Sequence, residues 1–339
     1  MTFLQLLWFV LIFFLIAVYF VLDGFDLGIG VVYPFLAKNE KEKAVLRRSV
    51  GPVWDGNEVW LLTAGGALFA AFAPAYATTF SGFYLAIMLV LFGLILRAVS
   101  IGFRSVDDGN SKIWDALFFI GSLLPALLFG VAIGNVLEGI QLDANGDYTG
   151  GFFALLNPFA LLCGILGLCQ CISQGLSWVA VKTNEGELHS RAVSHRGKMQ
   201  VVTIVVFLLT TLVYFMFANP GMDPSGMPVR VISVVVLVVA FVLQLLWGRK
   251  GAEFDTRTFL ASSLVCIGLV MLTASSLFPT IVPATDPSLS ITIANAASSE
   301  TALTAMTVIA CIGVPLVLIY HFIVYRTFAG KIDETDVEE

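Results

Sequence analysis

Runs of twenty or more apolar residues recur along this chain, and they leave few folds open. A segment that long can cross the hydrocarbon core of a bilayer as a helix. In lipid a helix satisfies every backbone N–H and C=O within the segment itself. Nine spans are predicted: 3–24 with an extension to 36, then 52–73, 76–103, 112–137, 152–180, 198–218, 229–248, 257–278 and 302–325. Composition agrees. The 339 residues are 58% hydrophobic and 12% charged, with mean hydropathy +0.92, whereas soluble domains are roughly 45–50% apolar and ~25% charged. The expected fold class is an all-α integral membrane protein, a single polytopic domain over 1–339 with no separate soluble domain. Membrane lipid is its expected surrounding, and nucleic acid is not an expected partner. Residues 3–24 lack a basic leader and a cleavage site, so they read as a retained helix.

Basic residues set the expected orientation. Sixteen of the eighteen Lys and Arg residues fall in alternate connections: 37–50, 104–112, 181–198, 249–257 and the C-terminal tail. The exceptions are Arg97 and Arg230. The other connections, "APAY", "EGIQLDANGDYTGG", "NPGMDPSGMP" and "PTIVPATDPSLSITIANAASSE", carry no base that breaks the alternation except Arg230, just beyond the third. Basic loops stay on the cytoplasmic side, which places the N-terminus outside and the C-terminus in the cytoplasm. The longest irregular linker is the one containing Pro279, Pro283 and Pro287, and the "DETDVEE" end reads as a solvated acidic tail.

Against that apolar background, four acids stand out. Asp23 and Asp26 lie three residues apart, as do Asp55 and Glu58, so each pair shares a helix face. The alternating topology brings both pairs and Arg97 into the same leaflet. Trp54, Asn57 and Trp60 add indole and amide groups alongside. Gly24, Gly28 and Gly30, and likewise Gly65, Gly66 and Ala70, offer surfaces where a second backbone could approach closely. An acid at a helix centre costs roughly 2.5–3.5 kcal/mol on insertion scales, so a group of them has to pair, protonate or meet water. Two readings stay open on spacing alone: a proton relay, or a structural network with Asp23 and Asp55 as interfacial helix-end acids, Asp55 near an N-terminus where the helix dipole favours an acid.

Other chemistry is thin. The five cysteines, Cys163, Cys169, Cys171, Cys266 and Cys311, fall in apolar runs and read as small buried hydrophobes rather than ligands. The histidines are His189 and His195 in a linker and His321 in the last span; His321 reads as a hydrogen-bonded packing residue, with a haem ligand as the alternative. Asp115 and Glu138 read as interfacial. There is no C-x-x-C-H, Walker loop, Rossmann fingerprint or H-E-x-x-H. Redox catalysis by this chain alone is not expected.

Longer strings point to a family. "DGFDLG" at 23–28, "WDGNEVWLLTAGGALFAAF" at 54–72, "FSGFYLAIMLVL" at 80–91, "NPFALLCG" at 157–164, "GELH" at 186–189 and "SLFPTIVPA" at 276–284 resemble subunit II of cytochrome bd-type quinol oxidases over nearly the whole chain. The resemblance implies two four-helix bundles plus a peripheral helix, and a homologous subunit I as partner. Subunit I would carry two haems b, haem d and the quinol site, leaving this chain without cofactor or metal. The complex would oxidise quinol and reduce dioxygen to water in a bacterial or archaeal plasma membrane. The resemblance also assigns proton transfer from the cytoplasm to Asp55, Asp23 and Asp26, with Glu58 the least secure member. Arg97, Trp54, Asn57 and Trp60 would support them. It leaves room for a small single-helix subunit, a structural quinone and a hydrophobic dioxygen passage. The competing class is a proton-coupled transporter or channel built on the same acids; a purely structural scaffold is a third reading.

Overall fold

In the computed structural model, residues 1–104, 106–218 and 223–332 are described. The acidic tail from 333 onward and part of the "NPGMDPSGMP" connection lie outside the described residues. The first helix, α1 (Phe3–Leu36), runs the full extended length that the sequence allowed. A short helix, α2 (Glu40–Val50), occupies the basic linker, capped by the Asn39 side chain on Glu42 N–H. Gly51 and Pro52 end it, and α3 (Trp54–Ala71) begins. The span expected over 76–103 is instead broken. Phe72 leaves helical geometry ahead of Pro74, which sits in the first turn of α4 (Ala73–Gly82), and Phe83 separates α4 from α5 (Tyr84–Phe103). Proline in a first turn gives up only an N–H that has no helical partner anyway, so "APAY" starts a helix rather than forming a loop.

The remaining long helices are α6 (Ser111–Glu138), α7 (Pro158–Lys182), α8 (Glu187–Val213), α9 (Met227–Gly248) and α10 (Asp255–Leu277). A one-turn helix, α11 (Ile293–Ala296), precedes α12 (Glu300–Thr327). Two boundaries differ from expectation. Residues 152–156 form a 3-10 turn ahead of α7, and most of the linker 181–198 is the start of α8. Among the described residues, eight helices are long and apolar enough to cross a membrane. The ninth expected span is α3; its 18 residues suffice in length, but "WDGNE" at its start keeps it below that apolarity.

Packing divides the helices into two groups. α1 lies against α3 and α6, with α5 on α6; α7 packs with α8 and α10, and α9 with α10. The groups meet where α1 touches α7 and α10 and where α6 touches α7. α12 stands at the edge, with Ile309, Ile312, Leu316, Phe322 and Ile323 exposed. The irregular linker forms a lid over the end nearest Trp8. Its strands β1 (Thr280–Val282) and β2 (Ile291–Thr292) pair antiparallel, Ala284 bridges to Ile140, and Val282 and Ile293 are buried. The opposite end gathers the basic linkers. Lys43 and Arg104 both pair with Asp115, at 2.8 and 3.0 Å. Arg191 pairs with Glu42. Burial pushes the Lys43 ammonium pKa down, but the hydrogen bonds it donates to Asp115 and Glu40 hold it above its ordinary value.

One close approach decides how α1 and α7 sit. A Cβ on Gly28 would lie 1.9 Å from the Cys171 carbonyl oxygen, and one on Gly175 would lie 2.6 Å from the Gly28 carbonyl carbon. Two helices in contact backbone to backbone have no room for a methyl group. The second small-residue surface behaves differently. Gly66 has nothing within 4 Å of a built Cβ, and Gly65 meets only the Phe80 ring of α4 at 4.0 Å, so this stripe makes no backbone-to-backbone contact of that kind. We therefore expect Gly28→Ala to force α1 off α7 and lower the thermal midpoint of the detergent-solubilised protein, at the scale of overpacking, about 1–3 kcal/mol. Gly66→Ala should leave the midpoint unchanged.

Candidate functional site

Three of the four acids singled out in the sequence, Asp23, Asp26 and Glu58, converge with Arg97 between α1, α3 and α5. Arg97 is fully buried, as is Asp23, and Asp26 is 1% exposed. Arg97 Nη2 donates to Asp23 Oδ1 at 2.7 Å and to Glu58 Oε1 at 2.5 Å. One guanidinium nitrogen thus ties α5 to both other helices. Asn57, also buried, donates through Nδ2 to Asp26 Oδ2 at 2.7 Å and to the Leu22 carbonyl at 3.1 Å. Its Oδ1 accepts from Tyr325 of α12 at 2.9 Å. Spacing explains the geometry: Asp23 and Asp26 share a face of α1, and on α3 Asn57 meets Asp26 while Glu58 meets Arg97.

Two carboxyl groups share this single guanidinium, and a third, that of Asp26, lies one turn from Asp23 on the same face of α1. Several polar atoms of the cluster are nonetheless buried without a hydrogen-bond partner among the described residues: Asp23 Oδ2, Asp26 Oδ1, Arg97 Nε and Nη1, and Tyr19 Oη. Orphaned polar atoms in a polar interior are the places where bound water belongs, given two to four partners for each molecule. The cluster also reaches the protein surface, since the Glu58 side chain is 23% exposed.

Asp55 is not in the ion-pair network. It is exposed, and its Oδ1 accepts from the neighbouring Gly56 N–H at 2.7 Å. It lies in the first turn of α3, one helical turn below Glu58, so it flanks the exposed side of the cluster. Trp54, beside it, is half-buried. Trp60 is buried, and its indole N–H donates to His321 Nε2 at 3.2 Å. An indole nitrogen can only donate. His321 Nε2 must therefore accept, which puts the ring proton on Nδ1, where it donates to the Val317 carbonyl at 2.9 Å. Both ring nitrogens are occupied, as the packing reading expected. Cys311 corrects the expectation for the cysteines: it is exposed on α12, while the other four are buried and all five are free.

Three features of this neighbourhood were missed by sequence reasoning. Tyr19 sits four residues before Asp23, and that spacing could have flagged it. Tyr325 reaches Asn57 from 268 positions away with no sequence signal. An apolar groove of about 350 Å³ opens beside the cluster, between α1, α3 and α12, lined by Trp8, Trp60, Gly66, Met306 and Gly313 among others. Among the described residues no group of three or more His, Cys, Asp or Glu is placed to hold a metal ion.

Fold and site together define a multi-pass, all-α membrane protein whose interior holds a charged cluster shared by three helices. Residues 4–328 match the family model for cytochrome bd terminal oxidase subunit II. The chain is 35% identical to a probable cytochrome oxidase subunit 2 of Haemophilus influenzae, covering 99% of this chain and 97% of that one. It is 34% identical to a cytochrome bd-I ubiquinol oxidase subunit 2 of Escherichia coli K12, again over 99% and 97%. A cytochrome bd ubiquinol oxidase subunit 2 of Bacillus subtilis is 33% identical over 94% of this chain and 95% of its own. The fold is shared with a chain of the bd oxidase from Geobacillus thermodenitrificans, at TM-score 0.80 and 15% identity over 96% and 99% of the two chains. The chain belongs to the cytochrome bd terminal oxidase subunit II family. It is a membrane subunit of a quinol oxidase of respiratory electron transport, which sets aside the transporter reading.

The cluster has a measurable energetic signature. Removing one partner of a buried ion pair costs about 3–5 kcal/mol, because the other charge is stranded. Arg97→Met should therefore destabilise the protein strongly. Arg97→Met combined with Asp23→Asn should be less destabilised than the two single variants predict together. A double-variant cycle on thermal midpoints measures that coupling, and additive effects would show that the two groups are not paired.

Proposed function

We propose that this chain is the haem-free member of the oxidase, that it supports assembly with subunit I, and that it conducts protons from the cytoplasm toward the site of dioxygen reduction. The supporting observation is the buried guanidinium of Arg97, which holds Asp23 and Glu58 on one nitrogen. In a low-dielectric interior, three carboxyl groups around one cation cannot all be ionised without large mutual repulsion. Protons on the surplus carboxyl groups meet that constraint, and orphaned oxygens beside them offer the next hydrogen bond. Asp55 and the exposed edge of Glu58 are the mouth of the path; Asp23 and Asp26 are its interior. Asn57 orients Asp26, and Trp60 with His321 fixes α12 against α3.

The orientation belongs to the same reading. The basic linkers gather at the end where α1 and α5 finish and α3 begins. Positive charge marks the cytoplasmic side, so the N-terminus faces outward and the mouth faces the cytoplasm. Subunit I would hold both haems b, haem d and the quinol site. That assignment is supported by the histidines: His321 is hydrogen-bonded at both ring nitrogens, His189 is bound to Asp255, and His195 to the Arg191 carbonyl. A structural quinone or a dioxygen passage is best accommodated by the apolar groove beside Trp60. A small accessory helix would find exposed apolar surface on α9 or α12.

The test is quinol-driven oxygen consumption by the purified complex, with haem content from its absorbance spectrum as the assembly control. Asp23→Asn should lower turnover roughly tenfold or more at full haem occupancy, equivalent to about 1.4 kcal/mol on the limiting barrier. Asp55→Asn should lower it in the same direction, and by less, because exposed water can replace that carboxylate. Normal turnover by Asp23→Asn at full haem content would remove the cluster from proton transfer.

A further inference from the structure

A second line of buried polar groups runs through the other half of the molecule. It starts at the end that carries the basic linkers. His189 Nε2 is hydrogen-bonded to Asp255 Oδ2 at 2.8 Å, and Arg196 Nη1 donates to Asp255 Oδ1 at 2.7 Å. Asp255 and Arg196 are 3% and 1% exposed, while the His189 side chain keeps 9% of its surface in contact with the outside. One turn further along α8 stands Gln200, and Gly248 of α9 lies against it. A Cβ built there would be 3.1 Å from Gln200 Oε1 and 3.6 Å from Thr258 Cγ2. Gln244 is one turn before Gly248 on the same helix, and Ser262 one turn beyond Thr258 on α10.

From Ser262 the links are direct. Gln170 Nε2 donates to the Ser262 carbonyl at 2.9 Å and lies 3.4 Å from Cys266 Sγ. Cys266 donates to Gln174 Oε1 at 2.8 Å, and Gln174 Nε2 donates to the Val21 carbonyl of α1 at 2.7 Å. Gln174 also covers Gly24, where a Cβ would come within 3.2 Å of its Oε1. The line therefore ends on the backbone next to Asp23, inside the first cluster.

The atoms along this line are under-used. Arg196 Nε, Gln200 Nε2, both polar atoms of Gln244, Gln170 Oε1 and Ser173 Oγ are buried with no hydrogen-bond partner among the described residues. They include both donors and acceptors, and they come from three helices, α7, α8 and α9, that line the seam together with α10. A dry seam would strand every one of them, and buried polar groups in folded proteins are almost always bonded to protein or to ordered water. Sequence order hides the arrangement, because the residues come from four separate segments between 170 and 266.

We propose that this seam holds a file of water molecules and is a second proton inlet, running from His189 and Asp255 between α7, α8, α9 and α10 to Gln174 and the Asp23 cluster. The transfer involves protons alone. Each water gives a proton forward and takes one from behind, so no oxidant or reductant is needed. The part of the proposal that ends at Asp23 rests on the proton role given to that cluster above; the water file does not.

Gln244 is the place to test it, since neither of its polar atoms bonds to the protein. In the purified complex, radiolytic hydroxyl-radical footprinting should label Cys266, a thiol that only internal water can bring radicals to. Gln244→Leu should cut that labelling several-fold, and Gln244→Glu should retain it. Turnover should fall roughly threefold in Gln244→Leu at full haem content, and further when Asp55→Asn is added. Haem content and Gln244→Glu report folding independently. Unlabelled Cys266, together with normal turnover and a raised thermal midpoint in Gln244→Leu, would mean a dry seam and overturn the proposal. Labelling lost in Gln244→Leu with normal turnover both alone and beside Asp55→Asn would overturn the inlet. Normal turnover in Asp55→Asn with reduced turnover in Gln244→Leu would count against the Asp55 mouth and support the seam.

Discussion

The contact of Arg97 with Asp23 and Glu58 is the constraint around which the first half of this molecule is built. A guanidinium in an apolar interior has to be met by opposite charge, because its desolvation is otherwise uncompensated. Here a single nitrogen meets two carboxylates from different helices. That requirement fixes the rotation of α1, α3 and α5 about their axes, since a turn of any one by a residue would carry its charged group away from the others. Asn57 and Tyr325 extend the same logic to α12, whose apolar surface is otherwise mostly exposed. Polar bonds add to the apolar packing of Leu303, Met306 and Val317 in holding that peripheral helix.

Close backbone contact supplies the second half of the design. Where α1 meets α7, Gly28 and Gly175 bring the helices together without side chains between them. Van der Waals packing of this kind substitutes for hydrophobic attraction, which is lost when the solvent is itself hydrocarbon. It also places Gln174 directly over the Asp23–Gly24 backbone. The small residues therefore determine which polar groups of the two bundles can reach each other, and the charged cluster and the glycine contact depend on one another.

Parts of this were legible in the residues themselves. The apolar runs marked the spans, and the spacing of Asp23 with Asp26 and of Asp55 with Glu58 marked the shared faces. Glu58 and Asp55 illustrate the limit. Spacing treats them alike, and the family resemblance ranked Asp55 above Glu58. The fold puts Glu58 on Arg97 and leaves Asp55 exposed at the rim. The difference is one helical turn of depth, which no local pattern reports. The break at Phe83 was missed for a related reason: an apolar run reads the same whether it is one helix or two.

The sequence by itself determined the class of protein, the approximate spans, the family and the identity of the acids, because these follow from apolar length and local spacing. Tertiary structure alone decided which acids share Arg97, that Tyr325 closes on Asn57, and that glutamines and serines from four helices form one polar line. Such meetings depend on the rotation and depth of helices relative to one another. Those are set by packing between segments far apart in the chain, and a linear pattern carries no coordinate for them.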